Sequence, residues 1–354
     1  MKKYTILLNK KTYDKSMFYL EYLVSGRISG KYLQKKLHDK NISKLTLYEF
    51  IELLMSTKRP QIFAESSVAG EGSDWNQEEL SILGDIGIAA PVKVYDNGKH
   101  FKPDVYEHPL NATLLFTPGA LLRNGRNNIP ADWNEVTRTG NINSEGYYGL
   151  YERRLLPLFM YANQIAKQKD TRAFITIPGL GCGQFAGKFM RQLGSELKKV
   201  LINFLNKHGS DFSNIDAVYY DPYQECDNER YEINAISFLV RPLTKGNENK
   251  PQLCHPKTYE EKGDCFANCE LFSFVAWDHV SWPGNDFYEG ARATDDGVKA
   301  AATNSMEVMT GVEGIYDSQK YQYHPPKGYS NWRDVVVKNN IQLEVKENLV
   351  VFPS

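Results

Sequence analysis

Short apolar runs, most of which lead into glycine, proline or an acid, recur between residues 112 and 278 and alternate with helical patterns. Runs that are apolar at successive positions are typical of strands buried on both faces. The alternation therefore predicts an α/β fold in which helices cover both faces of one sheet. The runs are ATLLFTPG (112–119), AFITIPG (173–179), IDAVYYDP (215–222), AISFLV (235–240) and LFSFVAWD (271–278).

Two amphipathic helices are predicted between these strands. They run from about Tyr151 to Lys167 and from about Phe185 to Lys207, and the second repeats apolar residues every three to four positions. Ligands of such sheets bind beyond the carboxyl ends of the strands, so the loops that follow the runs are where we expect chemistry.

The remaining segments are less regular. Residues 1–65 have apolar residues at helical spacing and predict a small N-terminal helical module, followed by one larger domain at 66–354. Residues 66–109 are rich in Gly, Asp, Asn and Pro and predict loops with one strand at 90–95. The closing stretch IQLEVKENLVVF (341–352) predicts a strand or hairpin.

Charge and cysteine content restrict the classes of function. The formal net charge is −1 and no segment concentrates the basic residues, which disfavours a nucleic-acid binder. Five cysteines leave one unpaired in any disulfide scheme, which favours a reducing, cytoplasmic location. The N-terminal apolar run is too short for a secretory signal or a membrane span, so we expect no membrane partner.

A glycine-rich stretch, IPGLGCGQFAG, lies between a predicted strand and a predicted helix at 177–187. Its alternating glycines let backbone N–H groups approach a ligand, and the following helix N-terminus favours an anion, which together predict a diphosphate cradle. The spacing fits neither a Walker A loop nor the Rossmann pattern. A tight strand-to-helix turn without a ligand is the structural alternative.

Four acids lie close together in the stretch FVAWDHVSWPGNDFYEGARATDDGVKAAATNSM (274–306). Thr294 is a candidate helix cap, and Asp295 and Asp296 in the first turn would be stabilised by the helix dipole without any function. That alternative leaves Asp278 and Asp286 unexplained, since acids are seldom placed at the end of a buried strand without a partner or a role. We therefore predict a functional acid cluster.

Other motifs give weaker signals. LLFTPGALLRNG (114–125) ends in a Pro-Gly turn and predicts a third wall of the same pocket. Cys182 is interpreted as a small packing residue rather than a nucleophile, and His279 as a structural residue rather than a base. The positions of Cys254, His255, Cys265 and Cys269 lack the paired spacing of strong zinc motifs.

These motifs resemble those of macrodomains. The stretch IPGLGCGQFAG is similar to the loop that wraps the diphosphate and distal ribose of ADP-ribose, with Phe185 at its aromatic position. The acid-rich stretch is similar to the strand, loop and helix that hold the distal ribose. The likeness is strongest to a divergent branch of bacterial effectors that remove ADP-ribose from an arginine of ubiquitin. It is strong over about 171–311, fair from Leu114 and absent over about the first 65 residues.

The resemblance implies a three-layer α/β/α sandwich with a mixed sheet and a pocket for ADP-ribose, with no cofactor or metal. It also implies that Asp278, Asp286 and Asp296 are catalytic, by activating water, holding ribose hydroxyls and assisting the leaving group. In ordinary macrodomains the ribose loop precedes the glycine-rich loop, whereas here it follows, which either a permuted strand order or a misassignment of the loops would account for. The implied ligand-binding residues are Pro118, Gly119, Gly181, Cys182, Gly183, Gln184, Phe185, Asn285 and Asp295.

The same resemblance implies that the partner is an ADP-ribosylated protein, with ubiquitin as the candidate, and that the protein is delivered into a host cytosol. Two alternatives stay open from the sequence alone. A metal-dependent hydrolase would use Asp286, Asp295 and Asp296 to bind Mg²⁺, and a non-catalytic reader would bind ADP-ribose without cleaving it.

Overall fold

The structure is a computed structural model that describes residues 4–62, 74–123, 129–345 and 347–353. Its strands are β1 (Thr5–Asn9), β2 (Gly87–Asp96), β3 (Val105–Pro118), β4 (Thr137–Arg138), β5 (Asn141–Ile142), β6 (Arg172–Pro178), β7 (Ile215–Asp221), β8 (Glu229–Ile233), β9 (Ile236–Val240), β10 (Cys269–Trp277), β11 (Ile315–Asp317), β12 (Gln322–His324) and β13 (Leu349–Phe352).

Nine of these strands form one mixed sheet in the order β13-β1-β2-β3-β10-β6-β7-β9-β8. The central strands β3, β10, β6, β7 and β9 are parallel. On one side β2 is antiparallel to β3, and at the other edge β8 is antiparallel to β9. The chain reaches β10 only after β9, yet β10 lies between β3 and β6, so the loops after these three strands are neighbours.

The helices are α1 (Lys10–Val24), α2 (Lys31–Leu37), α3 (Leu47–Met55), α4 (Gln77–Gly84), α5 (Trp133–Val136), α6 (Ser144–Gln168), α7 (Leu193–His208), α8 (Asp295–Ala302), α9 (Ser305–Thr310) and α10 (Trp332–Lys338). None of the helices in the described ranges has the length and apolar character to cross a bilayer.

Two apolar cores, one on each face of the sheet, make the fold a three-layer α/β/α sandwich. Successive strand residues alternate between them: Ile6 and Leu8 belong to one core, and Leu7 belongs to the other. Helices α6 and α7 cover the second face, and α1 to α4 with α8 to α10 cover the first. The predicted α/β class with helices on both faces is confirmed.

The N-terminal region contributes a strand as well as helices. A helical interpretation of all residues up to 65 is wrong for Thr5–Asn9, which pair with β2 and with β13. This segment is extended because Ile6, Leu7 and Leu8 are fully buried between two cores, which a helix with one apolar face would not allow. The proposed boundary near residue 65 stays a prediction, and residues 63–65 lie outside the described part of the chain.

Other local predictions differ from the structure. The segment 66–109 contains α4, whose N-cap Asn76 forms a capping box with Glu79, and β2 extends beyond the predicted strand. The helix predicted from Phe185 begins at Leu193, because Gly187 has a φ of +55° inside the 3₁₀ turn Gln184–Phe189. The closing stretch, by contrast, contains the strand β13, which is one of the two structures predicted for it.

We expect a fragment of residues 66–354 not to fold independently. It would lose β1, which would expose an edge of β2 and leave β13 without its partner strand. It would also lose the fully buried Phe50, Ile51 and Leu54 of α3. Circular dichroism and thermal melting of the fragment beside the full chain would check this. A cooperative transition at the melting temperature of the full chain would contradict it.

Candidate functional site

The loops after β3 and β6 are packed backbone against backbone at the carboxyl edge of the sheet. A Cβ atom added to Gly119 would lie 2.1 Å from the amide nitrogen of Gly181, so only glycine fits this contact. The hydroxyl of Tyr151 on α6 donates to the carbonyl of Leu180 at 2.7 Å and accepts from the amide of Ala120 at 3.0 Å. The two predicted pocket walls are therefore one connected unit.

The exposed part of the glycine-rich loop is Gly183 and Gln184, and no atom of the described residues lies within 4 Å of a Cβ built on Gly183. Phe185 is half-buried, and its ring centroid is 6.4 Å from that of His279, the residue after Asp278. The loop is held by a hydrogen bond from the amide of Leu122 to the carbonyl of Phe185 at 2.8 Å. The glycine-rich loop thus lies beside the acid-rich loop, which comprises residues 278–296 between the end of β10 and the first turn of α8.

Cys182 faces the protein rather than the open side of this loop. Its thiol lies 3.5 Å from the carbonyl of Leu180, and a Cβ on Gly179 would lie 3.1 Å from the Cβ of Cys182. Burial raises the pKa of the Cys182 thiol well above its usual range. A thiol in this state is a poor nucleophile, in agreement with the packing role inferred from sequence.

The carboxylate of Asp278, at the end of β10, is held by its own loop. Its Oδ2 accepts from the hydroxyl of Ser281 at 3.0 Å and from the side-chain amide of Asn285 at 2.5 Å. Asn285 is buried, and its backbone amide donates to Asp296. Asn285 therefore joins Asp278 to Asp296.

Asp296 is the acid that fixes the Pro-Gly-Asn turn. Its two carboxylate oxygens accept from the backbone amides of Gly284 and Asn285, each at 2.8 Å, and its side chain is buried. Burial raises the pKa of the Asp296 carboxyl well above its usual range, as does the charge of Asp278, against the opposing effect of the two amides. Its position is that of a loop-stabilising group.

Asp286 and Asp295 have different surroundings. Asp286 is half-buried and accepts a hydrogen bond from Thr294 at 2.6 Å, and Thr294 also caps α8 as predicted. Asp295 accepts from the amide of Ala276 at 2.8 Å and pairs with Lys299 at 2.9 Å. The structure thus places the three predicted catalytic acids at the end of β10, in the turn that follows and at the start of α8, whereas Asp295 is bound to the end of β10 and to the buried Lys299.

A buried charged network behind these loops was missed by the sequence analysis. The guanidinium of Arg154 on α6 donates to the carbonyl oxygens of Pro118 and Gly119, to Asp85 at 3.2 Å and to Asp132 at 2.7 Å. Asp132 also contacts the ring of His279 at 3.0 Å. The sequence signal that could have revealed this network is the place of Arg154 among the buried positions of the helix α6.

Charge pairing sets the protonation of this network. Burial raises the pKa of the Asp85 carboxyl, but Arg153, Lys15 and Arg154 more than offset this and lower it to about 2. The stability that Asp85 contributes is therefore present above its unfolded pKa of about 3.9 and is lost as pH falls toward 2. Burial lowers the pKa of His279, against the effect of Asp132. His279 is enclosed in this network, as the structural interpretation proposed.

The described part of the chain contains no group of three or more His, Cys, Asp or Glu arranged to hold a metal ion. The candidate zinc residues are dispersed: Cys265 is exposed, Cys254 is buried, and Cys269 contacts Asp216 at 3.5 Å. All five cysteines are free thiols. Of the predicted third wall, Asn124 and Gly125 lie outside the described residues.

Chemically, the site combines an exposed loop whose backbone can approach an anion with half-buried carboxylates that can accept a proton or hold hydroxyl groups. A family model described as macrodomain effector MavL matches residues 4–329, which is nearly the whole chain. No curated protein sequence matches the chain.

We expect Asp296→Asn to lower the free energy of unfolding by about 2 kcal/mol, because the new amide group would point a donor at a buried backbone N–H. Asp286→Asn should change it by less than about 0.5 kcal/mol, since its oxygen can still accept from Thr294. Urea unfolding of both variants beside the unsubstituted protein measures the difference. Equal losses in the two variants would contradict these separate roles.

Proposed function

The chain belongs to the macrodomain effector family MavL, and on this premise we propose that it is an ADP-ribosylhydrolase acting on arginine. The bond cleaved is the N-glycosidic bond between the distal ribose of ADP-ribose and the arginine side chain of a modified protein. The observation that carries the proposal is that Phe185 of the glycine-rich loop lies against His279 of the acid-rich loop at one edge of the sheet. Gly183 of the first loop is exposed, and the second loop carries Asp278, Asp286 and Asp296.

ADP-ribose has chemical features that match these two loops. Its diphosphate suits the exposed backbone at Gly183 and Gln184, where N–H groups bind an anion without a fixed positive charge. The half-buried ring of Phe185 offers an apolar surface to the distal ribose. Asp278, already an acceptor for Asn285 and Ser281, is suited to ribose hydroxyls.

Cleavage would proceed by attack of water on the anomeric carbon of the distal ribose through an oxocarbenium-like transition state. The guanidinium of a modified arginine is already protonated at neutral pH, so breaking the carbon–nitrogen bond releases a neutral guanidine. Asp286 would accept the proton of the attacking water, and the guanidine would take up a proton afterwards. The products are free ADP-ribose and unmodified arginine.

Among the three acids, Asp286 is the best candidate for the base. It is half-exposed and its described partner is a hydroxyl, whereas both oxygens of Asp296 accept from backbone amides. Asp296 would hold the turn that carries Asp286, and Asp278 would orient the ribose. Ubiquitin as the modified protein and a host cytosol as the location are further parts of the proposal, and they rest on the resemblance.

We expect Gly183→Ala to weaken binding of ADP-ribose by about tenfold or more, because a methyl group would occupy the space between the loop backbone and the diphosphate. A methyl at this position meets no atom of the described residues within 4 Å. Isothermal titration calorimetry would measure the change. In contrast, Gly119→Ala should impair folding itself, and unchanged affinity in a folded Gly183→Ala would contradict the cradle.

The activity is tested by incubating the protein with arginine-ADP-ribosylated ubiquitin, with and without EDTA, and measuring free ADP-ribose and the mass of ubiquitin. We expect release that resists EDTA and falls at least 100-fold in Asp286→Asn, since general-base catalysis contributes about 10²–10⁴. Glu289→Gln is the matched control, because this acid of the same turn pairs with Arg333 at the surface.

Loss of release with EDTA would favour the metal-dependent alternative. Binding of ADP-ribose without any release would favour the reader. Full activity in Asp286→Asn would contradict its role as the base.

A further inference from the structure

A segment that follows α3 runs beside the acid-rich loop. The amide of Arg59 donates to the carbonyl of Val280 at 2.9 Å, and the amide of Trp282 donates to the carbonyl of Arg59 at 2.7 Å. These bonds form a parallel β-bridge between Arg59 and Ser281. The N-terminal region is therefore built directly into the wall of the candidate site.

Asn285 connects this segment to the carboxylate of Asp278. The amide of Ile62 donates to Asn285 Oδ1 at 2.8 Å, and Asn285 Nδ2 donates to the carbonyl of Ile62 at 2.9 Å. The same Nδ2 donates to Asp278 Oδ2 at 2.5 Å. The orientation of the Asp278 carboxylate thus depends on residues before position 63.

Lys58 places its side-chain amine beside the two residues that flank Asp278. Its side chain is buried, its Nζ donates to the carbonyl of His279, and it lies 4.1 Å from the ring centroid of Trp277. Both contacted residues flank Asp278 in the chain. A lysine is seldom buried in this way unless its charge is balanced, and the charge of Asp278, the residue between the two that Lys58 contacts, favours the charged form of Lys58.

Within the described ranges, charged and titratable groups near Lys58 and Asp278 come from three elements. Asp278 and His279 follow β10, Arg154 projects from α6, and Asp296 lies at the start of α8. Burial lowers the pKa of Lys58 to about 7, with Asp278 opposing that shift and Arg154 adding to it. Asp278 and Asp296 are linked through Asn285, and the charge of Asp278 raises the pKa of the Asp296 carboxyl, so an ammonium group near Asp278 offsets the repulsion between the two acids.

We propose that Lys58 is a positioning residue whose ammonium group keeps the Asp278 carboxylate ionised and in the orientation that Asn285 and Ser281 hold. This role rests on the proposed function and extends it, because it makes the N-terminal segment part of the hydrolytic site. Lys58 does not touch the reacting atoms. It acts through Asp278.

The test compares Lys58→Met and Lys58→Arg with the unsubstituted protein, measuring kcat for release of ADP-ribose from arginine-ADP-ribosylated ubiquitin between pH 5 and 9. In the plot of kcat against pH, we expect the acid limb of Lys58→Met to shift to higher pH by about one unit or more. The reason is that a nearby cation lowers a carboxyl pKa by about 1–3 units. Activity of this variant should recover as pH rises. Lys58→Arg, which keeps the charge, should leave the acid limb in place.

A uniform loss at every pH in a folded Lys58→Met, with its acid limb unmoved, would show a merely structural role and overturn the proposal. If Lys58→Met shows no cooperative melting, the ¹⁵N shift of Lys58 Nζ in the unsubstituted protein decides. A charged ammonium at the pH of maximal kcat supports the proposal, and a neutral amine overturns it. No release by the unsubstituted protein at any pH would instead overturn the proposed hydrolase, and this role with it.

Discussion

The guanidinium of Arg154 holds together parts of the molecule that the sheet alone would leave separate. It contacts the end of α4 through Asp85, the loop after β3 through two carbonyl oxygens, and Asp132, which in turn contacts His279 after β10. Removing one partner of a buried pair leaves an uncompensated charge and costs about 3–5 kcal/mol. The relative position of the glycine-rich and acid-rich loops therefore depends on a buried residue that lies behind both of them.

The carboxylates of the acid-rich loop differ in how far they are buried and in which groups they bind. Asp296 is buried and its oxygens are used by backbone amides, whereas Asp286 is half-exposed. Asp295 is bound by Lys299 and by the amide of Ala276. Four acids that look equivalent in the sequence thus differ in their burial and in their hydrogen-bond partners.

The layered fold and the positions of the turns at the carboxyl edge of the sheet were predictable because they follow from local patterns. Buried strands leave apolar runs, and the turns after them need glycine or proline, as at Gly119 and Gly181. Strand β1 could not be recognised, since its five residues become a strand only by pairing with β2 and β13, which are distant in the chain. The contact of Lys58 with His279 and that of Arg154 with Asp85 likewise join residues separated by more than 60 positions, and no local spacing encodes them.

The central claim is that one ADP-ribose molecule spans the glycine-rich and acid-rich loops. Its most direct test is a crystal structure of Asp286→Asn with ADP-ribose bound. We expect diphosphate oxygens about 3 Å from backbone amides of residues 181–185 and the distal ribose beside Asp278 and residue 286. ADP-ribose bound at another surface, or with its diphosphate away from the glycine-rich loop, would contradict this claim.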